Sequence, residues 1–313
     1  MEGTVNMAIT NISVVVEFIL LGFGDLPNYQ GFLFSIFLLI YMTILVGNGL
    51  IIIITKVDPT LQTPMYFFLR HFSFIEICYT TVTLPRMFTN HLTQRRNISF
   101  LACAIQLCFF LIWGGTECFL LAVMAYDRYM AICNPLNYSL IMNQKFCICL
   151  VVACWISAIP IPVAQTYLIF SLYFCSSNLL NHVFCDVPPL LNLACGDTTI
   201  IELYTYAGAF LSAVIPFLMI LVSYIKIIAT IQKLPSAMGR QKAFSTCSSH
   251  LIVVSLFFGS GIISYFLPNS IKSAEVDKVL SLIYTTMTPM FNPLIYSLRN
   301  KDVIMALKKF SFK

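Results

Sequence analysis

Charged side chains are scarce in this chain. Only 10% of its 313 residues are Asp, Glu, Lys or Arg, whereas 59% are hydrophobic. A soluble globular protein carries about 25% charged residues, so the composition excludes a soluble fold of this size. The mean hydropathy of +0.86 instead indicates an integral membrane protein. The formal charge of +5 is scattered between apolar stretches without a basic stripe, which argues against nucleic-acid binding.

Several sequence signatures are also missing. The four histidines, His71, His91, His182 and His250, lie in different regions, and neither HExxH nor GxSxG occurs, which argues against an enzyme. The start of the chain lacks the basic segment of a cleavable signal, and Glu17 interrupts its first apolar stretch, so we expect the first span to act as the targeting signal. No internal repeat is visible, and an inverted-repeat transporter therefore gains no support.

Long apolar runs are what the chain has in quantity. Each is long enough for the roughly 20 residues with which a helix crosses the hydrocarbon core. Seven can be drawn, at about residues 30–55, 64–87, 98–124, 146–166, 203–230, 243–266 and 279–298. We therefore predict an all-α membrane protein, a seven-transmembrane helix bundle, in which residues 1–29 are polar and short of regular pattern.

The distribution of basic residues predicts the orientation of the bundle. Of the 18 Lys and Arg residues, only five fall on the side of the amino terminus, namely Arg86, Arg95, Arg96, Lys272 and Lys278. Because basic residues concentrate on the cytoplasmic side, the amino terminus should be extracellular. Asn11 begins an Asn-Ile-Ser glycosylation acceptor on that side. We predict that Asn11 carries a glycan.

An acid and a base stand side by side at the end of the third run. Residues 124–138 read MAYDRYMAICNPLNY and contain Asp127 and Arg128. A charge in the centre of a bilayer costs about 3 kcal/mol on insertion scales, so this pair should lie at the membrane edge. The string resembles the MAYDRYxAICxPLxY signature of olfactory receptors, a branch of the rhodopsin-like G-protein-coupled receptors.

Further strings carry the same resemblance in the same order, from about Phe18 to Leu307. They are Gly47-Asn48 (GN), residues 61–69 (LHTPMYFFL, departing at Gln62), residues 223–227 (SYxxI), residues 242–250 (KAFSTCxSH) and residues 289–300 (PxxNPxIYSLRN). The chain departs again at Phe258, where this family usually has Tyr, which puts a polar switch at that position in doubt.

The resemblance implies an odorant receptor in the plasma membrane that binds small volatile hydrophobic molecules and activates a stimulatory olfactory-type G protein, raising cAMP. Residues 1–29 would be the extracellular segment, 30–298 the receptor domain and 299–313 the cytoplasmic tail with a short amphipathic helix. A membrane transporter or channel is the alternative. It would need polar groups along a continuous path, and only Glu76 and Glu117 lie deep in the runs.

Four of the 12 cysteines fall on the predicted outer side: Cys103, Cys175, Cys185 and Cys195. Four cysteines allow three connectivities. The resemblance implies a bridge from the top of the third helix to the second outer loop, Cys103–Cys185, which leaves Cys175–Cys195 as a clip within that loop.

The resemblance also assigns candidate functional residues. For the switch and G-protein coupling these are Asp127, Arg128, Tyr129, Tyr224, Asn292, Pro293 and Tyr296. Because the sixth run has no acid at its inner end, we expect Asp127 to be the resting partner of Arg128. Helix phase and family pattern predict an odorant site, with ordinary packing as the alternative for each residue, formed by Phe110, Leu111, Gly114, Gly115, Gly208, Ser212, Gly261, Ser264, Tyr265 and Thr285.

An intramembrane acid is a functional candidate by default. Glu76 aligns with the second-helix acid that helps to hold a sodium ion in rhodopsin-like receptors. Glu117 could face it and Asn48 could lie nearby, so these three residues form a possible Na⁺ site. A neutral, hydrogen-bonded pair of acids is the alternative. We expect no other cofactor and no metal site.

Overall fold

A computed structural model describes residues 15–23, 30–93, 96–175, 177–233, 235–266, 273–298 and 301–311. Nearly all of these residues are helical, in agreement with the predicted all-α class. The predicted glycosylation site Asn11 lies outside the described residues. The side chains of Ser264, Tyr265 and Tyr296 also lie outside them, although their backbone belongs to helices.

Seven helical segments follow the seven predicted runs in order. The long helices are α1 (Gln30–Val57), α2 (Pro64–Thr93), α3 (Phe100–Cys133), the pair α5 (Gln144–Ala158) and α6 (Pro160–Phe170), the pair α8 (Thr199–Ala209) and α9 (Ile215–Gln232) joined by a π-helical segment at Phe210–Val214, then α10 (Ala237–Phe266) and α11 (Ala274–Leu298). Three short helices are α4 (Pro135–Ile141), α7 (Val187–Leu193) and α12 (Lys301–Ser311). Most of the helical segments are longer than the predicted apolar runs, because a helix can continue beyond the hydrocarbon core into the polar surroundings of a membrane.

Four of the helical segments are long and apolar enough to cross a membrane by length and composition alone: Gly31–Val57, Phe100–Cys133, Gln144–Phe170 and Thr199–Gln232. The other three, α2, α10 and α11, are 25 to 30 residues long and thus of spanning length, but they are less apolar. Many of their polar side chains, including Glu76 and Asn292, are buried inside the bundle and face other helices, not lipid.

Local sequence explains where several helices begin. The Ser99 side chain caps α3 by accepting a hydrogen bond from the Ala102 amide, and Asn143 caps α5 by accepting one from Phe146. Pro64 and Pro135 open α2 and α4, where the missing N–H is not needed. Pro160 opens α6 in the same way and thereby divides the fourth segment into α5 and α6 at Ile159.

Short strands cover one end of the bundle. Strand β1 (Glu17–Leu20) pairs antiparallel with β2 (Asn97–Ser99) and parallel with β4 (Leu179–Leu180), while β3 (Tyr173–Phe174) pairs antiparallel with β5 (Ala194–Cys195). Strand β1 lies within residues 1–29, for which the sequence shows little regular pattern. The period-two alternation of this strand buries Phe18 and Leu20, which are 0% and 1% exposed.

Both disulfides lie at this same end. Cys103 is bonded to Cys185 and Cys175 to Cys195, with Cα–Cα distances of 5.6 and 5.9 Å. This is the pairing that the family resemblance implies. We refer to this end, defined by the two bridges, as the disulfide end, and to the opposite end of α3, defined by Asp127 and Arg128, as the arginine end.

Candidate functional site

Four helices each bury a polar side chain inside the bundle. These side chains are Asn48 of α1, Glu76 of α2, Glu117 of α3 and Asn292 of α11, and each is at most 1% exposed. Asn292 donates a hydrogen bond from Nδ2 to Oε1 of Glu76. The carboxyl groups of Glu76 and Glu117 interact directly with each other. We call these four residues the polar centre.

Pro293 explains how α1 joins the polar centre. Because proline has no N–H, the carbonyl group four residues earlier, that of Pro289, loses its donor within the helix. The Asn48 amide supplies the missing donor, with Nδ2 3.1 Å from the Pro289 oxygen. A Cβ at Gly47 would lie only 2.9 Å from Cγ of Pro293, so glycine permits this close approach. Gly47-Asn48 and the proline-containing part of α11 are therefore complementary surfaces.

The polar centre presents oxygen atoms that have no hydrogen-bond partner within the described residues. They are Oδ1 of Asn48, Oε2 of Glu76, Oε1 of Glu117 and Oδ1 of Asn292. Hard cations prefer oxygen ligands, and a buried negative charge is costly unless it is paired or coordinates a cation. The donor set therefore fits a small cation such as Na⁺.

At the arginine end, Asp127 and Arg128 are buried, at 1% and 9% exposure. Asp127 accepts a hydrogen bond from the Tyr138 hydroxyl of α4 at 2.9 Å, whereas Arg128 acts on the Asp127 carboxylate through its charge. Arg128 also lies close enough to interact electrostatically with Cys247 and His250 of α10. The surroundings of Arg128 thus include α10 as well as Asp127, and the role of Asp127 as its resting partner stays a prediction.

Other contacts join the helices around Arg128. The Tyr224 hydroxyl of α9 is 2.8 Å from Nδ1 of His250, and the two rings stack with centroids 5.7 Å apart. The ammonium group of Lys226 lies 5.5 Å from the ring centroid of Tyr129. These contacts link α3, α9 and α10, so a movement of α10 away from α9 would break the hydrogen bond between Tyr224 and His250.

An ion pair connects α12 to the loop after α1. Lys309 lies 3.8 Å from the carboxylate of Asp58. The hydroxyl and amide of Thr60, followed by the Lys309 charge, hold the pKa of Asp58 below its usual range. Val303 and Ala306 are buried, so α12 is anchored on its apolar side.

The predicted odorant residues that the structure describes make two groups of contacts. Phe110 is surrounded by aromatic rings, with centroids 5.2 Å from Tyr79, 5.0 Å from Phe184 and 6.2 Å from Tyr284. Leu111 packs beside this group, and a Cβ at Gly114 would lie 3.8 Å from Tyr79.

The second group lies between α3, α5 and the π-helical segment. A Cβ at Gly115 would lie 3.8 Å from Ala158 and 4.0 Å from Ser212. The Ser212 hydroxyl donates to the Gly208 carbonyl within the same span, at 2.8 Å. A Cβ at Gly261 would meet no heavy atom within 4 Å among the residues described.

Two of the predicted odorant residues make close contacts within the bundle. A Cβ at Gly208 would lie 2.7 Å from Cγ2 of Ile161, so this glycine lets α6 and α8 pack closely. Thr285 is 0% exposed and donates to the Ser281 carbonyl of its own helix at 2.7 Å. The place of these two residues in the odorant site stays a prediction.

The disulfide end contains functional candidates that the sequence reasoning missed. Gln106 of α3 donates to the Val82 carbonyl at 2.9 Å and accepts from the Cys185 amide at 3.1 Å. Asp186 accepts from the Val187 amide at 2.8 Å and from the Tyr284 hydroxyl at 3.4 Å. Burial raises the pKa of the Asp186 carboxyl, although its interactions with His182, Val187 and Tyr284 oppose the shift. No short-range pattern connects these residues along the chain.

Comparisons with known proteins agree with this arrangement. Residues 37–313 match the sequence model of a family described as olfactory receptor. The chain is 56% identical to human (Homo sapiens) olfactory receptor 10AG1 over 294 residues, which cover 94% of this chain and 98% of that protein. It is 53% identical to human olfactory receptor 10A5 over 304 residues, covering 97% and 96% of the two chains. A crystal structure of squid rhodopsin superposes with a TM-score of 0.70 at 17% identity, covering 92% of this chain and 82% of that one.

Proposed function

Because the chain belongs to the olfactory receptor family, we propose that it is an odorant receptor of rhodopsin-like fold that activates a stimulatory G protein and raises cAMP. The observation that carries this conclusion is the similarity to curated olfactory receptors over almost the entire chain. The family is one of signalling proteins and not of enzymes, and it places the chain in the plasma membrane as a multi-pass protein.

The residues of the arginine end would perform the signalling step. Odorant binding can shift the receptor only if the odorant binds the signalling state more tightly than the resting state. In that state α10 moves away from α3 and α9, which separates His250 from Tyr224 and frees the surroundings of Arg128. Arg128 then turns into the opened cavity to contact the G protein, with Tyr224 in reach.

The polar centre would give α11 the freedom to switch. Pro293 weakens the helix there, and a segment with a missing hydrogen bond can have two arrangements. Asn48, Glu76 and Glu117 would hold a Na⁺ ion, with Asn292 beside them. The ion would supply the positive charge that balances a buried carboxylate.

The function is tested by a cAMP reporter in cells that supply the olfactory-type G protein. We expect at least one member of a panel of uncharged volatile molecules to raise cAMP in a dose-dependent manner, because the predicted odorant residues are apolar apart from a few hydroxyl groups. Cells with an unrelated receptor are the control. An odorant-driven ionic current through the purified protein in a planar bilayer, without any cAMP response in cells, would support the channel alternative instead.

The orientation is tested by glycan mapping. We propose that the amino terminus and the disulfide end are extracellular, so Asn11 should carry an N-linked glycan while Asn137 should be bare. Asn97 starts a second outer acceptor, but it is part of β2 and donates a hydrogen bond to Glu17, so we expect it to be bare as well. Peptide mapping by mass spectrometry distinguishes the three sites. A glycan on Asn137 would reverse the proposed orientation.

A further inference from the structure

Residues 182–186, which we call the loop segment, are buried although they form neither helix nor strand. His182, Phe184, Cys185 and Asp186 are exposed by 1%, 0%, 0% and 4%. Irregular backbone is normally found on protein surfaces because its polar groups need partners. Specific contacts must therefore hold this segment in the bundle.

The His182 side chain uses both of its ring nitrogens for this purpose. Nδ1 lies 3.0 Å from the Phe184 carbonyl oxygen, and Nε2 lies 3.0 Å from the hydroxyl oxygen of Ser281 on α11. The Phe184 amide also donates to Nδ1 at 3.5 Å, so Nδ1 faces both backbone polar groups of Phe184 while Nε2 faces Ser281. One ring therefore holds the fold of the loop segment and joins that segment to α11.

Phe184 is the residue whose position these contacts determine. Its ring lies edge-on to the His182 ring, with centroids 4.8 Å apart, and its other neighbour is Phe110, with centroids 5.0 Å apart. Phe110 is one of the residues predicted to line the odorant site. The place of Phe184 therefore bears directly on the shape of that site.

The loop segment is bonded covalently to α3, whereas hydrogen bonds connect it to α11. On the α3 side, the Cys103–Cys185 disulfide and the hydrogen bond to Gln106 hold it. On the α11 side, the bond between His182 and Ser281 measures 3.0 Å, whereas that between Asp186 and Tyr284 measures 3.4 Å. A hydrogen bond weakens as it lengthens towards this limit, so His182 makes the stronger tie to α11.

We propose that His182 is a positioning residue for odorant recognition: by bridging the loop segment to Ser281 of α11, it holds Phe184 over Phe110 at the disulfide end of the odorant site. This role rests on the proposed odorant-receptor function. It predicts that His182 and Ser281 act as one unit in setting odorant sensitivity.

Two substitutions separate the two bonds of His182. In His182→Asn the amide can reach the Phe184 carbonyl but not Ser281, whereas the longer side chain of His182→Gln can reach Ser281. We expect His182→Asn and Ser281→Ala each to raise the odorant concentration for half-maximal response about tenfold, which is the loss of about one buried hydrogen bond. The surface level and the maximal response should stay close to those of the wild type.

The combination of variants tests whether the residues act together. The double variant His182→Asn/Ser281→Ala should be no worse than either single variant, because both remove the same bond. With Ser281 present, His182→Gln should be more sensitive to odorant than His182→Asn. In the Ser281→Ala background, the two His182 variants should be equally sensitive. Thr286→Val is the matched control, since Thr286 is buried on α11 but donates to its own helix at Leu282. Additive effects of His182→Asn and Ser281→Ala would overturn the proposal.

The probe for these dose–response curves is an equimolar mixture of octanal, nonanol, acetophenone and limonene, read with the cAMP reporter. A second measurement needs no odorant: hydrogen exchange of the backbone amides at residues 183–187 in the detergent-solubilised receptor. His182→Asn and Ser281→Ala should accelerate this exchange, and Thr286→Val should not. Unchanged exchange in both variants overturns the positioning role. A wild type that exchanges as expected but ignores every odorant instead counts against the odorant-receptor function.

Discussion

Replacing Arg128 with Ala should abolish odorant-driven cAMP while the receptor still reaches the cell surface. Arg128 is 9% exposed, and its charge faces Asp127, Cys247 and His250 at the point where α10 meets α3. In the signalling state it would donate charge-assisted hydrogen bonds to the G protein. Such a bond contributes about 1.5–3 kcal/mol, so its loss should weaken coupling about 10–100-fold.

The measurement is a cAMP reporter read beside surface staining, at matched expression. Asp127→Asn is the informative companion, because the amide can still accept the hydrogen bond from Tyr138 but no longer carries the charge that attracts Arg128. We expect Asp127→Asn to loosen the resting state and raise basal cAMP. Full odorant signalling by Arg128→Ala at equal surface level would show that Arg128 has another role.

Replacing Cys103 or Cys185 with Ser should remove the receptor from the cell surface. The bridge links the start of α3 to the loop segment over a sequence separation of 82 residues. Bridges typically stabilise a fold by about 2–4 kcal/mol, which is a large fraction of the stability of an ordinary domain. Without it, the loop segment keeps only its non-covalent ties to Gln106, Ser281 and Tyr284.

Surface staining of intact cells, compared with staining of permeabilised cells, measures this effect. The double replacement of Cys103 and Cys185 should match either single one, because all three lose the same bond. Cys149→Ser is a control at a free, exposed cysteine. Mass spectrometry that finds Cys103 bonded to Cys175 or Cys195 would contradict the assignment.

The sequence predicts the membrane-spanning helices, because the requirement that a membrane places on them is local. A helix in lipid must be apolar over about 20 residues, and this requirement is visible without any partner. Pro160 likewise marks the division of the fourth segment within its own sequence. The strand at residues 17–20 is different, because its partners lie at residues 97–99 and 179–180, and an isolated pattern of four residues predicts little.

Side-chain partners depend on distant chain segments in the same way. His182 and Ser281 are 99 positions apart, and nothing in either local sequence indicates that they meet. Helix phase placed Gly208 towards the interior, but it could not show that Ile161 occupies the space beside it. Glu76 and Glu117 could be singled out because acids in apolar runs are rare, whereas Asn292 joins them only through the packing of α11 against α2.

The place of β1 in its sheet has a consequence for biosynthesis. The strand is among the first parts of the chain to be made, but its parallel partner β4 comes about 160 residues later. At roughly 5–20 residues per second, translation needs about 10–30 s to reach that partner. During this interval Phe18 and Leu20 lack the strand that later covers them, so they stay exposed in the nascent chain. A tag or leader fused to the amino terminus must therefore leave residues 17–22 free to join the sheet late.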